Sequence, residues 1–229
     1  MRLRSVISDR PKSLAEITGR PLLDILIDYI ARQGFKRFLL LAGWQSECIE
    51  AYAKQKSQTT GLEIWPVIEP EPLGTGGALN NALDYFHSST IIVLNGDSFC
   101  PVNLPELVQF HETKQAVLTM VLSLQPEAGE YGEVCLDPNS RITAFAEKKN
   151  AGLGSGVVNA GIYVFAKNII KQIPRHCFSS LEQDVFPQLV GKAFFGFPVK
   201  RPHFDIGTPQ RYFYAQAMLP ALLASLDRN

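Results

Sequence analysis

Ile91-Ile92-Val93-Leu94 is an unbroken apolar run that stops at Asn95-Gly96-Asp97, and this feature restricts the possible folds most. Four aliphatic residues in a row, bounded by turn formers, read as a strand buried on both faces, which requires a sheet covered by helices. Asp97 then stands at the carboxyl end of that strand, where open α/β sheets bind ligands and metals. A second acid, Asp205 in His203-Phe204-Asp205-Ile206-Gly207-Thr208-Pro209, occupies a similar strand-to-turn setting over a hundred residues later. Two such carboxylates can hold one Mg²⁺ between them and leave positions for water and phosphate oxygens.

The rest of the chain alternates helical and strand patterns, as expected of a sheet with helices on its faces. Residues 21–34 read as an amphipathic helix, with Leu22, Leu23, Leu26, Ile27 and Ile30 on one stripe and Gly34 at its end. Strands are expected over 35–42, 62–68 and 90–94, and helices over 45–55, 75–86 and 104–113. The segment 116–124 is a long strand of the kind that needs burial on both faces. After Pro126 the texture changes to short strands over 132–136, 142–147 and 157–165, broken by Asp137-Pro138-Asn139 and Gly152 to Gly156. A helix over 181–190, a strand over 193–199 and a helix from Pro209 to about Leu223 complete the pattern.

At 229 residues, with 46% of them hydrophobic, the chain is long enough to bury a full core. One domain over 1–229 is expected, with two halves at 1–125 and 126–229. Lys plus Arg and Asp plus Glu balance at 22 each, and the basic residues are scattered, so there is no electrostatic footprint for nucleic acid. Cys48, Cys100, Cys135 and Cys177 lie far apart, with no C-x-x-C pair and no histidine at zinc spacing. They read as small hydrophobes in a reducing cytosol. No stretch approaches the ~20 apolar residues of a membrane span, and polar residues follow the basic start where a signal peptide needs an apolar stretch. A soluble, cytoplasmic protein with no membrane partner is expected.

Glu71-Pro72-Leu73-Gly74-Thr75-Gly76-Gly77-Ala78 follows a strand and opens a helix. Glycines there let the backbone approach a ligand, and free N–H groups at a helix start suit a phosphate or a base edge, although such turns are often purely structural. The segment matches neither G-x-G-x-x-G nor the P-loop. Lys12, after Pro11, is placed to reach phosphates as a mobile point charge, against the plainer reading of a solvated surface lysine. Glu147-Lys148 and Asn159 put an acid, a cation and an amide at one end of adjacent strands, a set suited to a phosphorylated polyhydroxyl compound. Gly152-Leu153-Gly154-Ser155-Gly156 is followed by a strand rather than a helix and reads as a flexible turn. The four histidines are isolated, and no Ser or Cys sits in a nucleophile elbow.

Arg2-Leu3, Pro11-Lys12, Gly19-Arg20-Pro21, Leu73 to Ala78, Asn95-Gly96-Asp97, Tyr131-Gly132, Glu147-Lys148, Asn159-Ala160-Gly161-Ile162-Tyr163 and Asp205-Ile206-Gly207-Thr208-Pro209 occur in one order along the chain. That series resembles the sugar-1-phosphate nucleotidyltransferases over essentially its whole length. The resemblance implies a Rossmann-like three-layer α/β fold with a mixed, mostly parallel sheet. It also implies a reaction joining a nucleoside triphosphate to a sugar 1-phosphate with release of pyrophosphate. By the same resemblance, Asp97 and Asp205 are the Mg²⁺ ligands and Lys12 a catalytic contact to phosphate. Arg2, Gly74, Thr75, Gly76 and Gly77 would contact the nucleotide, and Gly132, Glu147, Lys148 and Asn159 the sugar phosphate. Within the family the motifs look most like members that transfer GMP from GTP to D-glycero-α-D-manno-heptose 1-phosphate, with mannose or another hexose 1-phosphate as the alternative.

The chain departs from the family pattern at its start. Relatives begin with a short apolar strand and a loop resembling Gly-Gly-x-Gly-Thr-Arg-Leu, whereas this sequence opens at Met1-Arg2-Leu3, inside the end of that signature. The first strand is therefore expected to be absent here, with its coding stretch upstream of Met1. A non-catalytic nucleotide-sugar-binding homologue is the competing reading. A glycosyltransferase is disfavoured because Asp97-Ser98-Phe99 lacks the Asp-x-Asp of such enzymes. Self-association stays open.

Overall fold

The computed structural model describes residues 7, 9–124, 133–146 and 157–226. The first half runs Glu16–Ile17 (β1), Arg20–Pro21 (β2), Leu22–Ala31 (α1), Arg37–Ala42 (β3), Ser46–Thr60 (α2), Glu63–Ile68 (β4), Gly74–Asn81 (α3), Thr90–Leu94 (β5), Ser98–Phe99 (β6) and Leu104–Thr113 (α4). Then come Leu118–Leu124 (β7), Glu133–Leu136 (β8), Ile142–Ala146 (β9), Val157–Ala166 (β10), Lys167–Ile170 (α5), Phe186–Leu189 (α6), Phe194–Val199 (β11), Phe204–Asp205 (β12) and Pro209–Leu226 (α7). The contacts gather into two units: Met1–Val67 with Asn95–Phe99 and His203–Asn229, and Ile68–Leu94 with Cys100–Pro202.

In the first unit, β1 and β2 form a hairpin through Thr18 and Gly19, both at positive φ (52° and 81°), as a two-residue turn of this hand requires. The hairpin delivers the chain into α1, whose Leu22, Ile25 and Leu26 pack with Ile17, Phe99, Phe204, Ile206, Tyr212 and Leu219. Its other side, Leu23 and Ile27, packs with Leu14, Ala42, Ile49, Ala53 and Ile64. Helix α2 runs further than the polar sequence after Gln55 suggests. It stops only at Gly61, a left-handed cap at φ 72° whose N–H reaches the Ser57 carbonyl. What holds the extra turn is Lys56, whose Nζ lies 2.6 Å from both Asp24 Oδ1 and Asp28 Oδ1 of α1. Arg20 bonds the same two aspartates, and the Tyr52 hydroxyl donates to Asp24.

The second unit is built on a six-stranded sheet in the order β11-β7-β10-β8-β9, with β5 also paired to β10. The sheet is mixed, with β11 parallel to β7 and the other described pairings antiparallel. Its parallel share is smaller than the family resemblance implies, because the ten-residue β10 returns antiparallel to its neighbours on both sides. Strand β7 is buried over its first six residues, as expected. Strand β5 is not: all five of its residues keep partial exposure. Helix α4 starts at Asn103, whose Oδ1 accepts from the Glu106 N–H, with Pro105 in the first turn.

Two expected helices are interrupted. Residues 181–190 split into a single π-type turn, Leu181–Val185, and the short α6. Pro187 lies in the first turn of α6, where its missing N–H costs nothing but would break a continuous helix from 181. The expected helix over 75–86 ends at Asn81 and resumes as a 3₁₀ turn at Leu83–Tyr85. All four cysteines are free thiols; only Cys100 is buried, and its thiol is pushed up to about 12 by burial, with Arg201 opposing, while Cys135 and Cys177 are exposed. No helix is long and apolar enough to cross a membrane among the described residues.

Candidate active site

Asp97 and Asp205 are brought together by a two-residue strand pair in the first unit. Strands β6 and β12 run antiparallel with Asp205 opposite Ser98 and Phe204 opposite Phe99. The Ile206 N–H donates to the Asp97 carbonyl at 3.1 Å, which locks the backbones on either side of the two acids. Phe99 and Phe204 supply the anchor: both are buried in the core around α1. The short polar strands are thus fixed by the apolar residue beside each carboxylate.

Lys12 enters from the other side, in a 3₁₀ turn over Lys12–Leu14 that Leu14 pins into the core. Its Nζ lies 3.9 Å from Asp97 Oδ2, with about a third of the lysine side chain and 40% of the aspartate side chain still exposed. A Cβ on Gly96 would sit 3.4 Å from Ser13 Cβ, so the turn before Asp97 passes close to this lysine turn. The Asp97 pKa is raised, chiefly because the surrounding protein displaces water; Lys12 pulls it back and the Asp205 charge raises it further. Asp97 is thus reachable from solvent yet poorly solvated.

Asp205 is held more tightly. Its Oδ1 accepts from the Gly207 N–H at 3.0 Å, an Asx-type turn, and Arg211 Nη1 reaches Oδ1 at 3.2 Å and Oδ2 at 3.0 Å. Both side chains of that ion pair are more than four-fifths buried. Arg211 is aimed by the start of α7: Thr208 caps it, its hydroxyl accepting the Arg211 N–H at 3.3 Å, and Pro209 opens the first turn. His203, also buried, has its imidazole pushed down to about 4 by burial, with Asp205 opposing and Arg211 reinforcing, and is neutral at pH 7. The donors here are oxygens. Among the described residues no cluster of three or more His, Cys, Asp or Glu could hold a metal without other ligands.

The Gly-rich segment and Asn159 belong to the second unit. Gly76 and Gly77 both donate their N–H groups to the Ser179 carbonyl, at 2.8 and 3.2 Å, and the Ser179 N–H returns to the Leu73 carbonyl at 2.8 Å. The Thr75 hydroxyl accepts from the Leu181 N–H and bonds Glu182 Oε2. A Cβ on Gly74 would fall 2.6 Å from the Ser179 carbonyl oxygen, and Gly74 itself stands at φ 73°. The glycines are therefore required by the strap over residues 177–182, and the N–H groups of Gly76 and Gly77 are engaged within the protein rather than left open for a ligand. Asn159 is likewise engaged: Oδ1 accepts from the Gly161 N–H, Nδ2 donates to the Tyr163 hydroxyl, and the pair spans a register shift between β10 and β7.

Arg2, Gly132, Glu147 and Lys148 lie outside the described residues. Sequence reading passed over Arg211 and the 177–182 strap. The first had a signal, since a helix starting at Pro209 puts its third residue within reach of an acid just before the turn. The second had none, because its partner lies a hundred residues away.

The family model described as nucleotidyl transferase matches residues 1–221. A D-glycero-alpha-D-manno-heptose 1-phosphate guanylyltransferase from Aneurinibacillus thermoaerophilus is 35% identical over 219 residues, covering 95% of this chain and 93% of that protein. A mannose-1-phosphate guanylyltransferase from Mycobacterium tuberculosis is 32% identical over 95% of this chain but only 61% of its own length. The crystal structure of HddC from Yersinia pseudotuberculosis complexed with GMP-PN superimposes with a TM-score of 0.83 at 31% identity, over 95% of this chain and 94% of that one.

Proposed function

Because this chain belongs to the nucleotidyl transferase family, we propose that it transfers GMP from GTP to a heptose 1-phosphate of the D-glycero-α-D-manno type, releasing pyrophosphate. The observation that carries this reading is the Asp97–Asp205 pair with Lys12 beside it, in a chain that matches its heptose-specific relative nearly end to end. The mannose 1-phosphate alternative rests on a relative with substantial sequence beyond the matched region.

The sugar-phosphate oxygen attacks the α-phosphorus in line; the new O–P bond forms as the bond to the pyrophosphate oxygen breaks, with no covalent enzyme intermediate. Both reactants are anions, so the barrier is mostly charge repulsion and positioning. Lys12, on a side chain that keeps a third of its surface, supplies a mobile positive charge to phosphate oxygens. Asp97 and Asp205 fit Mg²⁺: both are hard oxygen donors, both are fixed through their backbones, and together they would hold the ion and leave room for water and phosphate oxygens. When bound there, the ion would offset charge developing on the reacting phosphates, worth several kcal/mol. Lipopolysaccharide or capsule precursors are the expected destination of the product, and the cytoplasm the expected compartment.

A pyrophosphate-release screen of GTP, UTP, dTTP, CTP and ATP against heptose, mannose and glucose 1-phosphates tests this. The expected best pair is GTP with heptose 1-phosphate. Release with no pair, by this chain or by one extended upstream, would overturn it.

A further inference from the structure

Arg211 grips both oxygens of one of the two acids, and this arrangement bears on how a cation reaches the pair. Each acid has a cation beside it, Lys12 at Asp97 and Arg211 at Asp205. Acids paired in this way pull less on a bare divalent ion than two unpaired ones would. A carboxylate with one N–H on Oδ1 from Gly207 and a guanidinium nitrogen on both oxygens also has few lone pairs left to offer. Since no third acid or imidazole completes a metal cage among the described residues, the other ligands to an ion here are water or oxygens that it brings with it. A nucleoside triphosphate, strongly anionic, both carries the ion and supplies those oxygens.

We propose that Arg211 is a positioning residue with a gating effect: it fixes the orientation of Asp205 and keeps the pair of acids from collecting free divalent cation, so that the ion enters only as its triphosphate complex. This rests on the nucleotidyl-transfer reading, but concerns a different step. One guanidinium nitrogen, Arg211 Nη1, bridges both carboxylate oxygens, and it sits in a rigid planar group that loses less freedom in holding that contact than a flexible lysine ammonium would. Burial of more than four-fifths of both side chains limits screening by salt.

The test is a titration of the nucleotide-free protein with Mn²⁺, read by the loss of the free-ion electron paramagnetic resonance signal. Arg211→Gln is expected to bind Mn²⁺ at least about tenfold more tightly than the parent, the order set by removing one unit charge beside a divalent ion in water, which burial of the pair can only raise. The gain should vanish in Arg211→Gln with Asp205→Asn, and Arg211→Lys should bind as weakly as the parent while recovering only part of the turnover. Arg211→Met, which keeps the aliphatic stem, serves the same comparison if the Gln variant does not fold. Equal Mn²⁺ affinity in parent and Arg211→Gln or Arg211→Met, or a gain that survives loss of Asp205, would overturn the proposal. Pyrophosphate release by the parent alongside that result would leave the nucleotidyl-transfer reading standing; a tenfold gain without pyrophosphate release from any substrate pair would sink that reading and the triphosphate-borne entry with it.

Discussion

Gly77 lies so close to the Cys177 carbonyl that a Cβ there would meet its oxygen at 2.6 Å and Leu73 Cβ at 2.9 Å. Neither neighbour is the end of a flexible side chain, so Gly77→Ala must push the strap away from the Gly-rich turn. Such overpacking costs about 1–3 kcal/mol. Denaturant unfolding should show that loss. If the turn also lines the nucleotide site, the KM for GTP should rise more than kcat falls, whereas an Ala variant as stable as the parent would contradict the close approach.

Asp97→Ala should abolish turnover and leave the fold intact. A sharper test uses Asp97→Asn without metal. The native state raises the pKa of Asp97, so it binds that proton more tightly than the unfolded chain does. The stability linked to this group is then full below the ordinary value of 3.8 and is lost as pH rises through the native pKa. At neutral pH the ionised acid is a burden that the amide removes, and the exposed contact to Lys12 forfeits little. The Asn variant should therefore melt higher than the parent at pH 7 in chelator, and a lower melting temperature would refute this.

His111, buried on α4 with Nδ1 2.9 Å from the Thr119 hydroxyl, has its pKa pushed down from 6.5 to about 4 by burial. It is neutral in the native state, while the unfolded chain takes up a proton below pH 6.5. Stability should fall as pH drops from about 6.5 to about 4. The parent's loss across that window, followed by urea unfolding, should be flattened in His111→Gln; an unchanged slope would show that another group carries it.

Lys56→Met removes one of two cations shared by Asp24 and Asp28, leaving both acids to Arg20. Hydrogen bonds to charged groups contribute about 1.5–3 kcal/mol, and a loss of roughly that size is expected. Combining it with Arg20→Met should give a coupling energy well above zero, because the two cations act on the same carboxylates. Simple additivity would mean the network is two independent pairs.

Much of this was legible in the chain, in proportion to how local the cause is. An apolar run ended by Asn-Gly-Asp marks a strand end by composition alone, and that makes Asp97 conspicuous in the sequence. Asp205 needed the turn after it, and the two meet through β6 and β12, strands of two residues that no periodicity detects. Pro187 was visible, but its effect on a helix over 181–190 depends on the π-type turn that re-registers the ladder before it. The glycines at 74–77 were read as access for a ligand because that is one reason to have no side chain; the other, a peptide segment pressed against them, comes from a part of the chain that sequence spacing does not connect.

The first unit's three separate chain pieces impose an order of birth. A ribosome adds roughly 5–20 residues per second, so Asp205 is made about 5–20 s after Asp97. Until then the emerging polypeptide holds one acid of the pair and neither Phe204 nor α7 to brace it. Any chain broken off before residue 203 carries Asp97 and Lys12 but neither Asp205 nor the β6–β12 pairing, so abortive fragments of this protein should lack the paired acids altogether.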